Sequence, residues 1–169
     1  MHISGDAGQL VYYARNCLCL PTTYLWDTMG EIVCPGLLAE KAALWPEHYP
    51  PELCRKKEKL AGKGIRAFDC SGLIKRFLMG GFSRFHYDPA LDYNSLTLLE
   101  NASAQGESAR LPEVPGLCLY LPGHVGIYVG NGHVIEATAN PRFGDGVVET
   151  AFADREWTRW FTCPHVCYP

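Results

Sequence analysis

The sequence lacks long apolar runs, internal repeats and a marked excess of charge of either sign. No apolar run approaches the ~18 residues of a membrane-spanning helix. The opening segment MHISGDAGQLVYYARNCLCLPTTYLW also lacks the basic and apolar regions of an export signal. The formal net charge is −3, and lysine and arginine are scattered apart from one short cluster at residues 55–59. A membrane span and a nucleic-acid-binding surface are therefore not expected.

Paired cysteine knuckles of the C-x2-C type are also missing, although the chain contains eight cysteines. Two matched C-x2-C pairs are the usual mark of a structural zinc site. The C-x-C and C-x3-C spacings found here leave zinc as an alternative. Disulfides are expected only in an oxidising compartment. Most of the cysteines other than Cys70 are expected to be reduced and packed as small apolar side chains, namely Cys17, Cys19, Cys34, Cys54, Cys118, Cys163 and Cys167.

The length and composition predict one domain spanning residues 1–169, because 47% hydrophobic content can bury a single sizeable core. Apolar spacing predicts an amphipathic helix from about residue 9 to 19, ended by Pro21. A second helix is predicted in PGLLAEKAALW, inside a long excursion over residues 27–66 that we expect to cover the surface or wall a groove. A third begins at or just before Cys70 and ends at Gly80 and Gly81, and a short fourth is expected around residues 95–101.

From Gly116 onward the pattern changes to short β-prone segments separated by proline, glycine or asparagine. These segments are LCLYL, HVGIYVG, HVIEATA, GVVETAF and WFTCPHVCY. Helices followed by such strands predict an α+β domain in which N-terminal helices pack on a C-terminal antiparallel β-sheet.

Cys70 lies at the predicted start of a helix in RAFDCSGLIKRF. There the unpaired N–H groups and the positive end of the helix dipole favour the thiolate over the thiol. The same N–H groups can face the oxygen of a substrate carbonyl after the sulfur attacks it, as part of an oxyanion hole. We interpret Ser71 and Gly72 as small residues that keep the approach to the sulfur open. A thiol that only fills space beneath the helix is the alternative.

A nucleophilic thiol needs a base, and GHVGIYVGNGHVIEA offers His124 at the start of a strand. If GNG forms a three-residue turn, the antiparallel register places His124 and Glu136 on one face as diagonal neighbours. A two-residue turn would place them on opposite faces. With the odd turn, the carboxylate can hold one imidazole nitrogen while the other faces the thiol. His133 falls on the opposite face and is interpreted as a solvated or edge histidine.

The motifs FDCSGLI and HVGIYVGNG, followed by a polar residue twelve positions after the histidine, together resemble the NlpC family of papain-like cell-wall peptidases. The early helix, a tyrosine-containing strand at TYLW, the cysteine helix and the histidine hairpin occur in the family's order over most of the chain. The resemblance implies a papain-like fold and hydrolysis of bacterial peptidoglycan stem peptides, typically between γ-D-glutamate and the following diamino acid. It implies no metal or organic cofactor, a nucleophile at Cys70, a base at His124 and an orienting residue at Glu136.

The resemblance also implies substrate contacts and a setting. Tyr24 matches a tyrosine beside the nucleophile that assists the oxyanion, and Asp69 and Ser71 match positions that bind the free amine of L-alanine. We expect a monomer that binds peptidoglycan peptides, with an extracellular or wall-facing location favoured. The family more often has histidine where this chain has Glu136, and PGLC replaces the usual PGDL, so that Leu117 stands in place of a carboxylate.

Two other interpretations stay open at the level of sequence. Related papain-like domains act as amidases or acyltransferases on other amides and esters, because the catalytic residues encode thioester chemistry while the groove encodes the substrate. A non-catalytic wall-binding or structural module is the alternative from a different class. An electrophile should modify Cys70 first in an enzyme, whereas no thiol should stand out in a silent module.

Overall fold

The structure is a computed structural model that describes residues 4–169. Its helices are α1 Ala7–Leu18, α2 Pro35–Leu44, α3 Pro51–Glu58, α4 Cys70–Leu78 and α5 Ser95–Glu100. Its strands are β1 Gly5–Asp6, β2 Thr22–Tyr24, β3 Met29–Ile32, β4 Arg66–Phe68, β5 Gln105–Glu107, β6 Cys118–Leu121, β7 His124–Gly130, β8 His133–Asn140, β9 Gly144–Ala151, β10 Arg159–Phe161 and β11 Val166–Cys167.

The centre of the fold is a six-stranded sheet in the order β5-β10-β6-β7-β8-β9, in which every neighbouring pair is antiparallel. The predicted α+β class, with N-terminal helices on a C-terminal antiparallel sheet, is confirmed. A separate three-stranded sheet in the order β2-β4-β3 precedes the cysteine helix, and β1 pairs with β11 in parallel. Neither of these smaller sheets was predicted as a sheet, although TYLW was predicted to be a strand.

The six-stranded sheet has two unlike faces, because successive side chains of a strand point to opposite sides. On the face that we call the helix face, Leu10 of α1 and Ile74 of α4 share one buried cluster with Ile127 of β7 and Ile135 of β8. On the opposite face, which we call the outer face, a second cluster contains Leu119, Tyr128, Val134 and Trp157. Burying α1 and α4 on one face fixes the position of the α4 N-terminus over the start of β7.

The hairpin of β7 and β8 has the predicted register but not the predicted turn. Ile127 pairs with Ile135 and Tyr128 with Val134, as a three-residue turn requires. The turn itself contains only Asn131 and Gly132, whose φ angles of 54° and 74° suit a tight hairpin. A β-bulge between Tyr128 and the end of the strand supplies the extra residue. The bulge therefore restores the parity that a two-residue turn would have reversed.

The 27–66 excursion has its own small core, in which Val33, Leu38 and Tyr49 are buried together with Leu25, which lies just before the excursion. It contains β3, α2 and also α3, which the sequence did not predict. Pro51 occupies the first turn of α3, where a missing N–H costs nothing.

The cysteines divide by position rather than forming one buried class. Of the seven besides Cys70, three are buried, three are exposed and Cys54 is intermediate, and all are free thiols. The expectation that most would be packed as apolar residues is therefore wrong for the exposed three. Within residues 4–169 no group of three or more histidine, cysteine or acidic side chains is arranged to hold a metal ion. No helix in that range has the length and apolar content needed to cross a membrane.

Candidate active site

Cys70 is the first residue of α4, and Asp69 is the cap that fixes it there. Oδ1 of Asp69 accepts the N–H of Gly72 at 2.5 Å and the hydroxyl of Ser71 at 3.2 Å. Oδ2 accepts the N–H of Asp27 at 2.8 Å. Asp69 therefore acts as the helix cap, with both carboxylate oxygens in use.

Gly72 serves a different purpose from the one that the sequence suggested. A Cβ on this residue would lie 1.9 Å from the backbone oxygen of Thr28. The same Thr28 oxygen accepts the N–H of Asp69 at 3.0 Å. The missing side chain thus lets the segment before β3 approach the first turn of α4, rather than opening a path to the sulfur.

The Cys70 thiol is 7% exposed and neutral at rest. Burial and then the neighbouring Asp69 carboxylate raise the pKa of Cys70 to about 12, whereas the backbone N–H groups of Val125, Ser71 and Cys70 act in the opposite direction. The predicted effect of the helix N-terminus is present but outweighed. The thiol donates a long hydrogen bond of 3.9 Å to the carbonyl of Gly123.

His124 and Glu136 lie together on the outer face, with Nε2 of the imidazole 2.5 Å from Oε2 of the carboxylate. Because an ionised carboxylate only accepts, Nε2 carries the proton, and Nδ1 is left as the basic nitrogen. The ring stacks on Trp157, with centroids 5.7 Å apart. Gly126, on the same face, leaves the room that Trp157 occupies, since a Cβ there would lie 3.1 Å from the indole.

The link from the thiol to the histidine runs through the backbone that flanks His124. The sulfur contacts the carbonyl of Gly123 and the N–H of Val125, the residues on either side of it. Within residues 4–169 the sulfur makes no direct hydrogen bond to the imidazole. Hydrogen bonds between catalytic groups are often long without substrate and shorten when it binds.

Glu136 is fully buried and accepts hydrogen bonds from more donors than the sequence predicted. Besides His124, it accepts the hydroxyl of Thr150 at 2.6 Å and two guanidinium N–H groups of Arg155, at 3.2 and 2.7 Å. Burial alone would raise the pKa of Glu136. The hydrogen bonds from His124, Thr150 and Arg155 together lower it by more than burial raises it, so that the pKa of Glu136 lies below its usual value. No motif pointed to Arg155, which lies 19 residues beyond Glu136 in sequence.

A cavity of about 360 Å³ opens above Cys70. Four of the predicted site residues line it, namely Tyr24, Asp69, Cys70 and Ser71, whereas His124 and Glu136 do not. The 27–66 excursion and the segment after α4 supply further parts of the wall, and Trp26, Lys75 of α4 and Gly123 before β7 complete it. The added lining residues are Trp26, Asp27, Trp45, Lys75, Asp92, Tyr93, Asn94, Ser95 and Gly123.

Tyr24 is placed beside the thiol by β2, which pairs in parallel with β4 and sets Tyr24 opposite Phe68. Its backbone N–H donates to Asp145 of β9 at 3.0 Å. Burial, followed by the proximity of the ionisable groups Cys70 and Asp69, raises the pKa of the Tyr24 phenol far above its ordinary value. The hydroxyl therefore stays protonated and can donate to an oxyanion.

Asp27 is a cavity residue that the sequence did not single out. Its φ of 57° is a left-handed conformation that glycine adopts more readily. Oδ2 accepts from Lys41 at 2.8 Å and from the indole N–H of Trp45 at 2.9 Å. Asp92, another cavity residue, is paired with the buried Lys75 at 2.6 Å. Each of these two carboxylates has a lysine as its partner, so they present hydrogen-bond acceptors with little excess charge.

Comparisons with known proteins give matches of structure only. No known family model and no curated protein matches the chain. The chain is similar to a solved P60 domain of an antigen from M. avium subspecies paratuberculosis, with 20% sequence identity and a TM-score of 0.48. The overlap covers 96% of this chain and 98% of that one. The roles of the site residues rest on their own geometry.

Proposed function

We propose that the chain is a cysteine endopeptidase of the NlpC type that hydrolyses bacterial peptidoglycan stem peptides at the γ-D-glutamyl–diamino acid bond. The observation that carries the proposal is the position of Cys70, which starts a capped helix, lines the cavity and contacts the backbone on both sides of His124. His124 in turn is held by a buried carboxylate through the nitrogen that faces away from the reaction. This combination supports nucleophilic catalysis by an activated thiol.

The reaction begins with a neutral thiol and a neutral imidazole. Nδ1 of His124 takes the thiol proton as the sulfur attacks the amide carbonyl, and the N–H of Cys70 and the hydroxyl of Tyr24 stabilise the oxyanion. The C–N bond then breaks, and the imidazolium gives its proton to the leaving amine, which leaves a thioester on Cys70. Water, deprotonated by the same imidazole, hydrolyses the thioester and releases the carboxylic acid.

The cavity supports a peptide substrate. Asp27 and Asp92 offer acceptors for amide N–H groups, and Trp26 and Trp45 offer apolar surface. One lone-pair position of Asp69 remains, because a carboxylate accepts about four hydrogen bonds and three are used. This position is where we place the free amine of L-alanine.

Purified muropeptides test the reaction and the bond. Incubation should yield two fragments whose masses correspond to hydrolysis after γ-D-glutamate, with wild-type protein but not with Cys70→Ala. Loss of ammonia alone would indicate an amidase, and transfer to an added amine without hydrolysis would indicate an acyltransferase. A comparison of free and N-acetylated tetrapeptide tests the amine site, because equal rates would leave Asp69 as a helix cap only.

A further inference from the structure

Glu136 raises a problem of charge that His124 alone does not solve. Its side chain is completely buried, and an unpaired carboxylate in the interior is costly. The mechanism needs His124 to be neutral before the reaction, so the imidazole provides a hydrogen bond at that stage but no positive charge. Another cation is required if Glu136 is to stay ionised while the base stays unprotonated.

Arg155 supplies that cation with defined geometry. Its Nη2 lies 2.7 Å from Oε2 of Glu136, the oxygen that also faces His124, and its Nε lies 3.2 Å from Oε1. Two parallel N–H groups on two oxygens form the fork that arginine offers and lysine does not. Thr150 donates to Oε1, so four donors surround the carboxylate and leave it no freedom to turn.

The guanidinium is itself fixed. A second hydrogen bond from Nη2 reaches the hydroxyl of Thr138 at 3.0 Å, and the ring of Phe143 lies beneath the guanidinium carbon at 4.5 Å. Asp154, the acidic neighbour of Arg155, is paired with Arg142 at 2.6 Å. Glu136, rather than Asp154, is therefore the ion-pair partner of Arg155.

The short segment between β9 and β10 contacts both Glu136 and His124. Arg155 holds Glu136, and Trp157, two residues later, stacks on the ring of His124. Both belong to the segment between β9 and β10, which crosses the outer face. The charged or titratable groups that meet there are His124, Glu136 and Arg155, with the hydroxyls of Thr138 and Thr150 beside them.

We propose that Arg155 is a positioning residue of the catalytic unit, which supplies the counter-charge that keeps Glu136 ionised and thereby lets His124 rest as a neutral base. The inference rests on the proposed function. Without Arg155, the carboxylate must draw its counter-charge from the imidazole, and a proton that binds the pair settles on the imidazole because its ordinary pKa is higher than that of a carboxylate. A protonated His124 cannot accept the thiol proton.

The test uses ¹⁵N NMR of His124 in the full chain without substrate, with its signal assigned by its loss in His124→Gln. In wild type at pH 7 we expect the neutral ring with the proton on Nε2. In Arg155→Met the imidazolium fraction should become dominant, and Arg155→Lys, which keeps the charge but not the fork, should restore the neutral ring. An imidazolium in wild type, or the same protonation state in wild type and Arg155→Met, would overturn the inference.

The pH profile of kcat/KM provides a second readout that a purely structural role would not move. The acid limb should shift upward by about one pH unit or more in Arg155→Met and return in Arg155→Lys. If Arg155→Met does not fold, the protonation state of His124 in wild type still tests the inference. The double variant Arg155→Met/Glu136→Gln, which removes both charges, should fold with a neutral His124. If the NMR spectra show the expected protonation states but the protein does not cleave muropeptides, the proposed function is wrong and the role of Arg155 toward Glu136 and His124 still holds.

Discussion

At the scale of single residues, the site is built from groups that have more than one task. Asp69 caps α4, binds the N–H of Asp27 and lines the cavity. Glu136 orients His124 and pairs with Arg155. Because the same atoms serve structure and chemistry, a substitution here changes both, and stability must be measured beside activity.

Glu136→Gln should reduce stability as well as activity. The side-chain amide of Gln cannot accept hydrogen bonds at both positions. It also leaves the guanidinium of Arg155, whose side chain is only 15% exposed, without a charge partner. We expect the free energy of unfolding to fall by about 3 kcal/mol, measured by urea denaturation. Glu149→Gln is the matched control, since Glu149 pairs with His133 in the same hairpin but is part-exposed, with 35% side-chain exposure. Equal losses in both variants would contradict the account.

At the scale of elements, the sequence predicted the helices and strands that carry the proposed catalytic residues. The predicted start of α4 at Cys70 and the shared face of His124 and Glu136 follow from local patterns, a helix start signal and two-residue alternation. The turn was predicted wrongly, because periodicity cannot distinguish a three-residue turn from a two-residue turn with a bulge. Arg155 could not be predicted, since its contact with Glu136 depends on how a later connection crosses the sheet.

The contact of α4 with the segment before β3 is a feature of the elements that a single substitution should disrupt. Gly72→Ala places a Cβ against the Thr28 carbonyl at 1.9 Å, and both groups are backbone or directly attached to it. Overpacking of this kind lowers the free energy of unfolding by ~1–3 kcal/mol. The displaced start of α4 should also lower activity. Gly36→Ala in α2 is the control, because the nearest atom to its Cβ would be the Cys34 sulfur at 3.9 Å and alanine favours helix. Thermal unfolding of the two variants checks the difference, and a Gly72→Ala protein as stable as Gly36→Ala would contradict it.

At the scale of the whole molecule, the 27–66 excursion is fastened to the main sheet by a buried lysine. Lys57 of α3 is 3% exposed, and its Nζ lies 2.7 Å from Asp145 of β9 and 2.6 Å from the hydroxyl of Thr23. Asp145 also accepts the N–H of Tyr24. The wall of the cavity and the position of Tyr24 therefore depend on one ion pair between distant parts of the chain.

Lys57→Met should loosen this connection. We expect a loss of about 1 kcal/mol, at the low end for a hydrogen-bonded charge, because the Asp145 side chain is 43% exposed and can regain water. Activity should fall more than stability, since Tyr24 loses its fixed position. Lys56→Met, the exposed neighbour, is the control. Hydrogen exchange of residues 22–24 measures the loosening directly, and unchanged exchange in Lys57→Met would refute it.

The central claim is that Cys70 forms a thioester with a peptide carbonyl and that water releases it. Acid quenching during turnover of muropeptides in H₂¹⁸O, followed by mass spectrometry of both enzyme and products, tests this claim most directly. The account predicts an acyl adduct on the Cys70 peptide, ¹⁸O in the newly formed γ-carboxylate, and neither in Cys70→Ala. Hydrolysis by Cys70→Ala at the wild-type rate, or turnover with the adduct on another residue, would contradict it.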